Sequence, residues 1–224
     1  LERSDISPDI KPLKNIEKEL LNSPVIWHKV NTNKIMYLRL NFDISDMSAE
    51  ELQYFGILSD ILGLIDTEKR GYSDYVSETL MYTGGIHTNI EVYTNNEDKN
   101  KVLLNYSVSF KSLVSQAAKG LPLILEMLYE SKINKESDKR IVEILRENLS
   151  GMEMDFETSG DRMSALIAKS HFSVDARMGE RLSGLSYYKF VKNLAENFET
   201  EKEELYKKLN SLINKYFVKE RLII

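Results

Sequence analysis

No cysteine occurs in the 224 residues, which excludes disulfides, thiolate zinc sites and cysteine nucleophiles and leaves the redox compartment open. Histidine is scarce as well. His28, His87 and His171 are the three, none has a second histidine or a glutamate at metal-ligand spacing, and neither H-x-x-E-H nor H-E-x-x-H is present. A phosphate-cradling loop, a G-x-S-x-G elbow and a dinucleotide fingerprint are missing too, and Gly84-Gly85 is too short to cradle phosphate. No apolar run reaches the roughly 18 residues of a membrane span, and no leader pattern, repeat or low-complexity tract occurs. The net charge is −5 and no block of lysines and arginines is long enough to track a phosphate backbone, which argues against a nucleic-acid partner.

What is present is a 42% hydrophobic chain, able to fill a proper core in one large domain or two small ones. Its organising stretch runs from Lys34 to Tyr93. Met36, Leu38, Leu40, Phe42 and Ile44 alternate with Tyr37, Arg39, Asn41 and Asp43, the period-two signature of a strand with one core face and one wet face. Ser48 and Glu51 then make an S-x-x-E capping box, and Leu52, Phe55, Ile61, Leu62 and Ile65 continue as a helical stripe that ends near Gly63. A shorter helix is predicted for 73–83, closed by Gly84 and Gly85, and Ile86 to Tyr93 alternates again as a strand.

Residues 1–23, with Pro8 and Pro12 and a brief helical pattern around Leu13, Ile16 and Leu20, read as a linker leading into a single domain over 24–224. Pro24 to Val30 reads as a first strand that pairs with the Ile35 strand through a turn at Asn31–Lys34. A polar turn at 95–100 precedes a third long strand through Val102, Leu104, Tyr106, Val108 and Phe110, which makes the sheet largely antiparallel. Beyond Phe110 the period changes. A helix through Leu113, Ala117, Leu121, Ile124 and Leu128 contains Pro122, so a kink or restart is expected there. Ser137 caps a long pattern that continues past Gly160 to about Ser170; Gly179 to Gly184 reads as a loop, and helices follow over 187–194 and 201–216. The fold class is α+β, an antiparallel sheet with helices packed on one face and a polar face left open. The chain opens Leu1-Glu2-Arg3 and stops on Arg221-Leu222-Ile223-Ile224, which looks like a strand cut in its middle, so a piece of a longer protein is expected.

No complete catalytic constellation emerges. Ser186-Tyr187-Tyr188-Lys189 matches S-x-x-K, yet no K-T-G or S-D-N triplet follows, and chance explains it better. The carboxylates Glu50 and Glu51, Asp43 and Asp46, and Glu201, Glu203 and Glu204 fall at helix starts or on solvated faces, where negative charge is stabilising on its own account. His87 attracts most notice because alternation puts it on the open face with Asn89 and Glu91; an independent enzyme built on His87 and Glu91 predicts activity in this chain alone.

The run Ile35-Met36-Tyr37-Leu38-Arg39-Leu40-Asn41-Phe42-Asp43-Ile44, then Ser48-Ala49-Glu50-Glu51-Leu52, Tyr82-Thr83-Gly84-Gly85-Ile86 and the stretch from Gly179 to Tyr188, resembles the third domain of presequence-protease-type enzymes of the pitrilysin and insulinase group. The resemblance runs from about Pro24 to the end. It implies a degenerate copy of the LuxS/mitochondrial-processing-peptidase-like metallohydrolase fold, in a clamshell whose zinc and H-x-x-E-H pair sit in the first domain. It therefore implies no catalytic residue, no metal ligand and no cofactor in this chain, with zinc in the parent's first domain. Its partners are implied to be the other domains of the same chain and unfolded peptide substrate, with no nucleic acid and no membrane span. The implied role is part of the wall of a substrate-enclosing chamber. Arg39, Asn41, Asp43, His87, Asn89, Glu91, Asn105, Ser107 and Ser109 are the candidate lining residues. An alternative from the same group is a peptidase-like scaffold or interaction domain of a multi-subunit complex with no proteolytic role. The compartment is undetermined, with a cytoplasmic location as the default.

Overall fold

The computed structural model describes residues 14–98 and 101–224. Three long strands, β3 (Ile35–Asp43), β4 (Ile86–Thr94) and β5 (Val102–Leu113), are numbered after a leading hairpin of β1 (Asn15–Leu20) and β2 (Ser23–His28). With β6 (Leu222–Ile223) they form an antiparallel sheet in the order β4-β5-β3-β6. The alternation in β3 and β5 works as the sequence predicts, because one parity is apolar: Phe42, Leu104, Tyr106, Val108 and Phe110 are all buried.

Helices α1 (Ala49–Ile61) and α2 (Tyr72–Tyr82) separate β3 from β4, and α3 (Ala117–Tyr129), α4 (Asp138–Thr158), α5 (Gly160–Ser170), α6 (Val174–Ser183), α7 (Leu185–Glu196) and α8 (Phe198–Tyr216) follow β5. The capping box at α1 is complete: Ser48 Oγ accepts from the Glu51 N–H at 3.1 Å, and Glu51 accepts from the Ser48 N–H at 2.9 Å. Gly63 takes φ +81° just beyond that helix. Of the two glycines after α2, Gly85 holds the positive φ, +117°, whereas the Gly84 N–H donates to Lys111 O and begins the sheet. Core packing centres on rings. Phe55 of α1 stands edge-on to Tyr106 at 5.0 Å, Phe217 after α8 stacks on Tyr106 at 5.3 Å, and Phe42 lies 5.2 Å from Phe217. One buried cluster runs from the sheet through α1, α3, α4, α7 and α8.

The chain departs from the sequence expectations at five places. Ile16 and Leu20 lie on a strand and not on a helix; Leu13 is outside the described residues. The two-residue turn Leu21-Asn22 has φ +51° and +65°, the pair of positive angles that closes a tight hairpin and twists with it. As a result β2 pairs with β1 and not with β3. The place beside β3 that it was expected to fill belongs to β6, which bonds β3 at Asn41 and Phe42, while Ile224 exchanges hydrogen bonds with Pro24 O and the Ile26 N–H of β2. The expected loop at Gly179–Gly184 is the end of α6: Gly179 faces Leu166 of α5, and Gly184 ends the helix where a Cβ would meet Glu180 O at 2.7 Å. The long pattern after Ser137 breaks at Ser159 into α4 and α5, and the Ser137 hydroxyl donates to Lys132 O, so it does not cap α4. Finally, Leu113 closes β5 and does not open a helix; α3 begins at Ala117 and runs through Pro122 without a restart. In the turn at 95–100, Asn95 Oδ1 accepts from the Glu97 and Asp98 N–H groups; Lys99 and Asn100 lie outside the described residues.

Candidate functional site

Strand register turns the polar parity of β3, β4 and β5 into a grid. His87 lies beside Ser109 and Ser109 beside Arg39; Asn89, Ser107 and Asn41 form the next row; Glu91, Asn105 and Asp43 form the third. All nine sequence-predicted residues therefore share one face. They are not equally open. Arg39, His87 and Asn89 are exposed, Asn41, Asp43, Glu91, Asn105 and Ser109 are half-buried, and Ser107, at the centre of the grid, is buried. The reason lies in the diagonal: Arg39 reaches from one corner to Glu91 at the opposite one, 3.3 Å away, and the pair crosses β5 over Ser107. Ser107 Oγ turns to Asn89 O at 3.4 Å.

Glu91 also accepts from the Tyr93 hydroxyl at 2.5 Å, and that bond holds the phenol above its ordinary pKa. With Arg39 and Tyr93 on its carboxylate, Glu91 makes no hydrogen bond to His87 among the described contacts. The His87 ring instead folds back over Gly85, where a Cβ would meet Nε2 at 2.6 Å. The acid–base pair considered for an independent enzyme is not assembled. Asp43 serves the end of its strand: its carboxylate accepts from the Ser45 N–H at 2.9 Å, and Arg221 bonds its carbonyl while gripping Asp46 with two bonds of 2.8 and 2.9 Å. Ser186 lies in the first turn of α7, where its N–H donates to Glu180, and no bond joins it to Lys189 among the described residues. No group of three histidine, cysteine, aspartate or glutamate side chains is placed to hold a metal ion among the described residues. No helix there is long and apolar enough to cross a membrane.

One end of the grid is overhung. The β1–β2 hairpin stands beside β3 across a cleft of about 1020 Å³. Of the nine residues, Arg39, Asn41, His87 and Ser109 line this cleft; the other five lie beyond it. Sequence reasoning missed Trp27 and Lys111, which line it as well. Lys111 shares the open-face parity of β5 and was legible, whereas Trp27 arrives through the position of β2, which no local pattern encodes.

Among the described residues, the carboxylate most displaced in pKa is elsewhere. Asp60, at the end of α1, accepts from the Tyr187 hydroxyl of α7 at 3.0 Å and from Asn148 of α4 at 2.8 Å, and burial pushes it up to about 6. Tyr187 reaches it because Gly56 leaves room: a Cβ there would sit 2.8 Å from the hydroxyl. A carboxyl whose folded pKa exceeds its unfolded value favours folding below the unfolded pKa, near 3.8, and the advantage is lost as pH rises to about 6. Asp60→Asn keeps an acceptor for both donors and removes the charge. It should raise the unfolding free energy at pH 7.5 by about 2–3 kcal/mol and, in urea titrations, abolish the fall in stability expected of the native chain between pH 4 and 6. Equal pH slopes in the two proteins would refute this assignment.

Fold and face together define an α+β domain in which helices cover one side of an antiparallel sheet and the other side carries polar residues, with no metal-binding set among the described residues. The chain belongs to the Peptidase M-16C associated family, whose sequence profile matches residues 1–194. Among similar proteins, Protein HypA of Clostridium perfringens (strain 13 / Type A) is 27% identical over 224 residues, covering all of this chain and 23% of that protein. The mitochondrial presequence protease of Drosophila melanogaster is 21% identical over 194 residues, 87% of this chain and 18% of its own length. That of Saccharomyces cerevisiae is 26% identical over 192 residues, 84% of this chain and 19% of its own. The chain thus spans about a fifth of the length of the curated relatives it matches.

Proposed function

We propose that this domain is part of the wall of the substrate chamber in a zinc-dependent metalloendopeptidase that degrades unfolded peptides, with the polar grid turned toward the chamber. The other domains of the longer chain are its partners, and the zinc and the catalytic residues belong to the first of them. The observation that carries the reading is the grid itself: nine polar side chains in register on a face that the helices leave uncovered. Such a face meets peptides of mixed sequence without demanding full desolvation, since water-bridged contacts are nearly as favourable as direct ones. Membership of a peptidase-associated family supports the reading.

Changing Arg39, His87 and Glu91 together to alanine in the full-length protein should alter kcat/KM on an unstructured peptide by about fivefold, equivalent to about 1 kcal/mol of exposed polar contact. The unfolding midpoint should move little, because Arg39 is more than half exposed and both partners of the ion pair are removed together, so no charge is left stranded. Unchanged kinetics would remove the lining role. A companion assay with one equivalent of zinc should find hydrolysis in the full-length protein and none in this chain by itself.

A further inference from the structure

Both faces of α3 are apolar. Leu123, Ile124, Met127 and Leu128 are buried in the core, and the opposite side, where a surface helix ordinarily carries charge, exposes Ala118, Pro122, Leu125 and Tyr129. The other long helices keep to the ordinary pattern: Arg146 and Glu147 are exposed on α4, and Glu203, Glu204 and Lys207 on α8. The two charged residues of α3 are engaged elsewhere. Glu126 is buried against Thr67 and Arg70, and the Lys119 ammonium lies 4.8 Å from the centre of the Tyr82 ring.

The four outward residues are spaced 4-3-4, the period at which one helix presents a seam to another. At 3.6 residues per turn they fall within about 60° of one another, a narrow line about 16 Å long. Pro122 marks the same line in a second way. Having no N–H, it leaves the Ala118 carbonyl without its helical donor, so a side chain docked there can supply one.

The size of this face limits what can hold it. Leu125 and Tyr129, 56% and 51% exposed, are its large members, and a stripe one helix wide falls well short of the roughly 800 Å² per partner that independent proteins bury in a stable complex. A second copy of the chain would not stay bound by it. A partner on the same polypeptide is held at about millimolar effective concentration and needs far less area. The curated relatives have such polypeptide, since this chain spans 18–23% of their lengths.

We propose that the outward stripe of α3 is an interdomain seam, docking a helix from another domain of the same longer chain that carries its own apolar residues at 4-3-4 spacing. The proposal rests on the chamber-wall reading only for the existence of that longer chain. It places the contact on the helix side of the sheet, away from the polar grid, so the two are tested separately.

In the longer protein, p-benzoylphenylalanine introduced in place of Leu125 should, on irradiation, give a cross-link within one polypeptide. Mass spectrometry should map it to a segment outside these 224 residues whose apolar residues recur at that spacing. Leu125→Glu should lower the urea midpoint of the longer protein by about 0.5 M. It should leave the midpoint of the 224-residue chain unchanged, because the side chain is already exposed there. Leu125→Met should shift neither protein. A cross-link to a second copy, to a segment without the spacing, or to nothing would overturn the proposal. So would a Leu125→Glu variant that shifts both proteins equally, or neither. These results do not depend on peptide turnover, which tests the wall reading alone.

Discussion

Replacing Arg70 with alanine is expected to lower the unfolding free energy by about 3–5 kcal/mol, the cost of leaving a buried carboxylate without its counter-ion. The carboxylate is Glu126, on α3 and only 1% exposed. Thr67 donates to it at 2.7 Å and Arg70 Nε stands 3.0 Å away, while the other end of the guanidinium meets Glu78 at 2.5 Å. Arg70 therefore fastens the segment after α1 to both α2 and α3. Around it, the Glu68 N–H donates to Glu130 O and the Lys132 N–H to Asp66 O. Truncation removes the cation but not the burial, and a single hydroxyl cannot compensate an ion in a low-dielectric site. Replacing both partners by apolar residues, Arg70→Met with Glu126→Leu, should recover most of the loss. Urea titrations of the single and double variants at pH 7.5 decide it. A loss below about 1 kcal/mol at pH 7.5 would mean that water reaches Glu126 readily.

Phe55→Ala should cost a comparable amount, about 3–5 kcal/mol, through a cavity. Phe55 has no exposed surface and meets three rings: Tyr106 of β5 at 5.0 Å, Phe217 at 5.9 Å and Tyr216 of α8 at 6.1 Å, all near edge-on. Those neighbours belong to the sheet and to the far end of the chain, so their backbones cannot collapse together into the space. Edge-to-face pairs add about 0.5–1.5 kcal/mol each beyond area burial, which puts this site at the upper end of the range. In a thermal scan the loss corresponds to a drop of about 10 °C for a domain of this size. Phe55→Leu keeps most of the volume and should lose less than half as much. A small, equal effect from both substitutions would show that the ring cluster is loosely packed.

The parts of this fold that were legible in the sequence are those whose two faces differ chemically. β3 and β5 have one apolar and one polar parity, so the side each residue takes could be read from alternation, although β5 runs past Phe110 to Leu113, and antiparallel register then put all nine polar residues on one face. The start of α1 was legible because Ser48 and Glu51 satisfy each other's backbone groups, a local device needing no tertiary partner. β1 was not legible: all six of its residues are exposed, so it carries no alternation, and its turn uses a leucine at positive φ, which no composition rule marks. In α6, glycine was read as a breaker, but Gly179 sits inside the helix facing Leu166 of α5, and only Gly184 ends it. The cleft was invisible for another reason. It exists because β6 holds β2 beside β3, a relation between residues almost two hundred positions apart.

That same relation sets a timetable for a chain made from its N-terminus. Ile26 meets its partner only when Ile224 has emerged, 198 residues later. At about 5–20 residues per second, the hairpin and the N-terminal half of the sheet stand on a ribosome for roughly 10–40 s before the strand that joins them exists. Throughout that interval the whole β3 edge is unpaired, Asn41 and Phe42 included. Nascent chains are thus open to wrong strand pairing there, and a chaperone acting on this domain has its longest task at β3.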